Sequence, residues 1–165
     1  MKNKKKYLIF IIITVVGIIL DRITKIIAID RLSDKSKVLI KDVLELRLLY
    51  NTGAAWSFMH DNTWFLTLFS ILLSVILIVF IIKIPDKPHM TSLVVLLSFI
   101  VSGAIGNMID RIAMGKVTDF IYFKLINFPI FNVADIWVSC STAVLVLLII
   151  FYYKDEDFEW LQRKK

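Results

Sequence analysis

The 165 residues are 58% hydrophobic and 21% charged, with a mean hydropathy of +0.77, which lies outside the range of soluble domains and marks an integral membrane protein. The formal charge of +6 does not point to nucleic acid, because the lysines and arginines are scattered at the ends of apolar segments rather than gathered in a stripe with interleaved aromatics. The single cysteine, Cys140, excludes an internal disulfide and a thiolate metal cluster, and its position within the last apolar segment reads as that of a small core residue.

Taken in chain order, the N-terminal stretch MKNKKKYLIFIIITVVGIIL has the charged and apolar parts of a secretory signal. It runs straight into Asp21, Arg22 and Lys25 without a small-residue cleavage site, so it reads as a retained first span. Its apolar run covers only about 21 Å as a helix, against roughly 30 Å of hydrocarbon, so the helix must continue to about residue 29. Asp21 and Lys25 then share a helical face at i and i+4. Further spans are expected at about 64–84, closed by Pro85 and Pro88, at 91–109 and at 136–153.

The expected architecture is mainly α: one membrane domain over 1–165, a four-transmembrane-helix bundle with a small extracytoplasmic β-sheet and an interfacial loop. Lysine and arginine divide ten against ten between the two sides. The denser set lies in the short N-terminus, the turn near residue 87 and the tail, so both termini are expected to be cytoplasmic. The outer loops are then about 30–63 and 112–134. In the first, Leu44, Leu46 and Leu48 alternate with Glu45 and Arg47, the period of a half-buried strand. The second, FIYFKLINFPIFN, is aromatic enough to sit at the membrane interface.

Charges at membrane depth are costly, so their placement is informative. Asp21, Arg22, Lys25, Asp110, Arg111, Asp119 and Asp135 all fall at the same outer side. Three strings carry most of these groups. NTGAAWS at 51–57 brings Asn51 and Gly53; the bland reading is a turn into the second span. SGAIGNMIDR at 102–111 sets Gly103, Asn107, Asp110 and Arg111 at helical spacing, which also suits small-residue packing, although Asn107 then needs partners at depth. VTDF at 117–120 and FNVAD at 131–135 each bring one carboxylate, Asp119 and Asp135, among apolar residues. Two carboxyls in one site share a proton, one serving as base and the other as acid, which is what activating water against an amide requires. The bland alternative has Asp135 capping the fourth helix and Asp119 in a turn.

Other chemistries lack their parts: there is no HExxH, GxSxG or phosphate-binding loop, and no metal or cofactor is expected. His60 and His89 fall on opposite sides and read as surface residues. A Ser57 nucleophile with Lys25 as base is conceivable, but Asp21 one turn away holds Lys25 charged.

Together, D-x-x-T-K at 21–25, N-x-G-A-A-W-S at 51–57, G-A-x-G-N-x-x-D-R at 103–111, V-x-D-F at 117–120 and F-N-x-A-D at 131–135 resemble lipoprotein signal peptidase, or signal peptidase II, over essentially the whole chain. That resemblance implies an aspartyl endopeptidase of the bacterial cytoplasmic membrane. It would remove signal peptides from diacylglyceryl-modified prolipoproteins before the lipidated cysteine, with its site at the outer face. By motif position it implies a catalytic dyad of Asp119 and Asp135, and substrate-binding or dyad-positioning roles for Asn51, Gly53, Gly103, Asn107, Arg111, Asn132 and Ala134. Asp21, Lys25 and Asp110 would be structural polar support. The implied partners are the diacylglyceryl prolipoprotein substrate, membrane lipid and globomycin-like inhibitors, with a monomer as the expected state. Trp56 stands where many members have phenylalanine, and Cys140 where a small residue, often glycine, is common. The other readings are a small proton-coupled membrane transporter, which would want polar groups near the midplane, and a non-enzymatic lipoprotein-binding factor.

Overall fold

A computed structural model describes residues 3–53 and 62–161; Ala54, Ala55, Trp56 and Ser57 of the string at 51–57, and His60, lie outside the described residues. Four helices are long and apolar enough to cross a membrane: α1 (Asn3–Leu32), α2 (Thr63–Lys83), α3 (Thr91–Met114) and α4 (Val133–Phe151). Three strands, β1 (Lys37–Ile40), β2 (Leu44–Asn51) and β3 (Val117–Phe123), form an antiparallel sheet in that order. α3 runs one turn past the expected boundary because its polar end is satisfied by neighbours, and it stops at Gly115, whose φ of +68° is open to glycine at little cost.

α3 is the inner helix. Half of its most apolar stretch is buried within the protein, against 11% for α2 and α4 and 17% for α1, so the other three helices give most of their apolar surface to lipid. Cys140 belongs to that outer surface: it is exposed on α4, which corrects its reading as a core residue. In a bundle this thin the apolar side chains of an outer helix face lipid, and an apolar run alone does not say which residues turn inward.

The two ends of the bundle differ. At one end Ile81, Ile84, Met90, Leu93, Val94, Leu97, Val101 and Tyr153 form an apolar core. There Lys6 donates to the carbonyls of Ile82 and Ile84 at 2.9 and 2.7 Å, satisfying the end of α2. The segment Asp155–Leu161 folds back beneath it, with Trp160 against Phe80, and His89 pairs with Asp157 at 2.8 Å.

The sheet covers the other end. β2 is set against β3 with Leu49 opposite Asp119 and Asn51 opposite Val117. Phe131 closes the aromatic loop onto β3 through hydrogen bonds to Phe120 and Ile121, with rings of Phe123 and Phe128 against its own. That closure delivers Asn132 to the start of α4.

Candidate active site

At the sheet end, close helix packing comes first. A Cβ on Gly103 would stand 2.4 Å from the carbonyl oxygen of Ala134, and one on Gly106 would stand 2.6 Å from an Asp21 carboxylate oxygen. α3 and α4 therefore meet at backbone distance, as small residues permit in membranes, and Gly106 leaves room for the Asp21 carboxylate of α1. Into this contact α1 sends Asp21 and Lys25, 0% and 1% exposed. Lys25 Nζ lies 2.9 Å from Asp21, 2.8 Å from Asp110 and 2.9 Å from Asn107 Oδ1. Asp21 also accepts from the Ala134 amide at 3.1 Å, while Asp110 accepts from the Thr118 amide at 3.1 Å and from Arg22 at 2.5 Å. Two anions and two cations thus satisfy each other and tie α1, α3, β3 and α4 together. Lys25 is thereby committed to two carboxylates and to Asn107, which counts against the Ser57 reading.

Outward from Lys25 the polarity passes to amides. Because Lys25 donates to Asn107 Oδ1, the amide nitrogen of Asn107 is turned outward, where it donates to Asp135 Oδ1 at 2.8 Å. Asn132, wholly buried, is the hinge of the site. Its side-chain nitrogen donates to Asp119 Oδ1 at 2.6 Å and to Asn107 Oδ1 at 3.0 Å. Its backbone N–H donates to Asp135 Oδ2 at 3.0 Å, and its Oδ1 accepts from the Asp135 amide at 3.1 Å, a complete capping box at the N-terminus of α4. Asn51 donates to the second oxygen of Asp119 at 3.0 Å and holds the Gly53 amide at 2.9 Å.

Capping of α4 and membership of a carboxylate pair are therefore not alternatives for Asp135; its capping-box partner, Asn132, also donates to Asp119. Asp119 lies in β3 rather than in a turn. Burial, and then the charge of Asp135, push the Asp119 carboxyl up to about 7, against the opposing pull of the two asparagine donors and Lys25.

Both carboxylates face a cleft of about 260 Å³, lined also by Asn51, Gly53, Asn107, Arg111 and Ser139, with Phe128, Pro129 and Phe131 on one wall. Arg111 Nε makes no hydrogen bond among the described residues, leaving a donor free at the cleft. Of the residues singled out from sequence, Asn132 stands behind the carboxylates, Gly103 and Ala134 serve the helix contact, and Asp21, Lys25 and Asp110 form the charged base. Two contributors escaped the sequence reading. Ser139 follows Asp135 by four residues, one helical turn, which was the available signal. The Thr118 amide, bonded to Asp110, carries no mark in sequence because any residue but proline supplies it.

A multi-pass membrane protein with one buried and one half-buried carboxylate, both bonded by Asn132, at one end of its bundle is the class that fold and site define. Residues 13–151 match the family described as Signal peptidase (SPase) II. The lipoprotein signal peptidase of Clostridium tetani is 46% identical over 90% of this chain and 95% of its own length. That of Lactococcus lactis subsp. lactis is 40% identical over 88% and 95%. A solved bacterial membrane enzyme superposes with a TM-score of 0.76 at 30% identity, covering 88% of this chain and 92% of that one. The chain belongs to the signal peptidase II family and is a peptidase. Neither the transporter reading nor the non-catalytic one gains support from these relatives.

Proposed function

We propose that this protein is an aspartic endopeptidase that removes signal peptides from diacylglyceryl-modified prolipoproteins, cutting before the lipidated cysteine, with Asp119 and Asp135 as the catalytic pair. The observation that carries the reading is Asn132, one buried residue that bonds both carboxylates and so holds them to a single cleft. Membership of the signal peptidase II family, whose relatives are lipoprotein signal peptidases, supports the substrate.

The roles divide by environment. Asp135 is at the start of α4, with the Asn107 side chain donating to one of its oxygens and the Asn132 backbone to the other, and we assign it the part of base. Asp119, with its carboxyl pushed up to about 7, keeps the shared proton and acts as the acid. Asp135 takes a proton from water, the resulting hydroxide attacks the scissile carbonyl carbon, and Asp119 gives its proton to the departing amine nitrogen. Arg111 and the amides of Asn51 and Asn107 are the donors for substrate carbonyl oxygens. A second, apolar groove of about 500 Å³, bounded by Leu44, Phe128, Phe131 and Cys140, begins at Asp135 and takes the substrate's acyl chains. Both termini are cytoplasmic on this reading and the cleft opens at the outer face, where lipid and water meet.

The test is cleavage of a diacylglyceryl prolipoprotein by purified Asp119→Asn and Asp135→Asn proteins, alongside sensitivity of the unaltered protein to globomycin. Each variant is expected to lose cleavage while remaining folded. Normal turnover by either sinks the pair, and loss of cleavage in Ser57→Ala with retention in an aspartate variant replaces it with a serine mechanism.

A further inference from the structure

A cavity of about 520 Å³ shares no lining residue with the cleft. It lies on the opposite face of the sheet, between the last turns of α1 and the strands β1 and β2. Alternate residues of a strand point to opposite faces, so Asp119 turns to the cleft while its neighbour Phe120 turns to this cavity. Its apolar floor is Ala28, Leu32, Leu46 and Phe120, the exposed Ile27 stands at its mouth, and its rim carries three cations, Arg31, Lys35 and Lys37.

Depth and charge together identify what fits. α1 crosses with Lys4–Leu32, about 43 Å at 1.5 Å per residue, which exceeds the roughly 30 Å hydrocarbon layer by about two turns. With Lys4, Lys5 and Lys6 at one boundary, Ile27 to Leu32 reach the headgroup zone of the other. An apolar floor with a cationic rim at that depth suits a molecule with an acyl tail and an anionic head. Arg31 is partly occupied, since its Nε lies 3.0 Å from Asp30. Lys35 and Lys37 have no ion-pair partner among the described residues, although Asp30 and Asp34 lower the net charge of the segment. Beside them Val38, Leu39 and Ile40 of β1 are all half-exposed, and Lys41 follows, so the edge strand is an apolar patch between lysines, as at a lipid surface.

We propose that this cavity binds an anionic glycerophospholipid, one acyl chain lying on the floor formed by Ala28, Leu32, Leu46 and Phe120 and the phosphate held by Lys35 and Lys37. The site is separate from the peptidase cleft, and its occupancy does not depend on which residues cleave substrate.

Delipidated full-length protein in detergent, titrated with dioleoyl phosphatidylglycerol, dioleoyl phosphatidylcholine or dioleoylglycerol and read by native mass spectrometry, tests it. The first lipid bound is expected to favour phosphatidylglycerol over phosphatidylcholine by about tenfold, the order expected of two lysines facing an anionic headgroup. The double change Lys35→Glu and Lys37→Glu abolishes that preference, whereas the same change at Lys4 and Lys5, at the far end of α1, leaves it intact. Ile27→Trp, on an exposed residue at the cavity mouth, weakens binding of every lipid at this site. Equal binding of phosphatidylcholine, equal or tighter binding of dioleoylglycerol, or a preference that survives the Lys35 and Lys37 changes overturns the proposal. None of these readings uses cleavage, so loss of the aspartic mechanism leaves the lipid result standing and the reverse.

Discussion

The two ends of this bundle are held together by different physics. At the Tyr153 end, Leu93, Val94, Leu97 and Val101 of α3 pack with Ile81 of α2 and Ile84 just beyond it, and the buried cation Lys6 serves to finish a helix. At the sheet end the contact depends on Gly103 and Gly106, on four charges and on three buried or half-buried asparagines. Lipid tails are as apolar as leucine, so apolar packing in a membrane gains only fit, whereas a polar group there must find its partner or pay fully. The apolar end therefore tolerates substitution, and the polar end specifies one arrangement of α1, α3, β3 and α4. The proposed catalytic pair is built on the end whose contacts are specified by polar partners.

The largest expected effects break that polar end chemically. Asp119→Asn and Asp135→Asn are each expected to lower the rate of prolipoprotein cleavage by at least about 10³-fold. Asp135→Asn also weakens the start of α4 by about 1 kcal/mol, read as a small loss of thermal stability that Asp119→Asn does not share.

Next comes structure. Lys25→Met leaves Asp21 and Asp110 facing each other with only Arg22 between them, and an unfolding measurement in lipid bicelles is expected to record a loss of about 3–5 kcal/mol. Gly106→Ala drives a methyl into Asp21 and is expected to cost about 1–3 kcal/mol in the same assay.

A pH series sharpens the comparison through Asp119. On the proposed mechanism its acid form is the proton donor, so kcat/KM is expected to fall as pH rises through about 7. The same shift links to stability. Asp119 titrates near 4 when unfolded and about 7 when folded, so its contribution is complete below about 4 and is lost as pH rises to about 7. Asp119→Asn is expected to remove that part of the slope.

The smallest effect belongs to the apolar end. Val94→Ala deletes two buried methyl groups and is expected to cost about 1 kcal/mol of stability with unchanged kcat. A drop in kcat comparable to that of a polar-end variant would show that the two ends are not independent.

Much of this protein is written locally. Twenty-odd apolar residues in a row have no solution in lipid but a helix, so the four spans follow from composition, and the alternation of Leu44, Leu46 and Leu48 follows from the two faces of a strand. The motif strings bring Asp119, Asp135, Asn107 and Asn132 into view because polar residues so near a membrane need a reason. Which atom meets which is not local. That Asn132 bridges both carboxylates, that Lys25 turns the Asn107 amide toward Asp135, that Gly103 serves packing while Arg111 lines the cleft, and that Cys140 faces outward all depend on how α3 is seated among its neighbours. Sequence by itself determined the crossings and the inventory of polar groups, since hydrocarbon penalises each unsatisfied group one residue at a time. Only the tertiary structure decided the pairings, since a hydrogen bond or ion pair between residues up to 113 positions apart exists only once the helices have met.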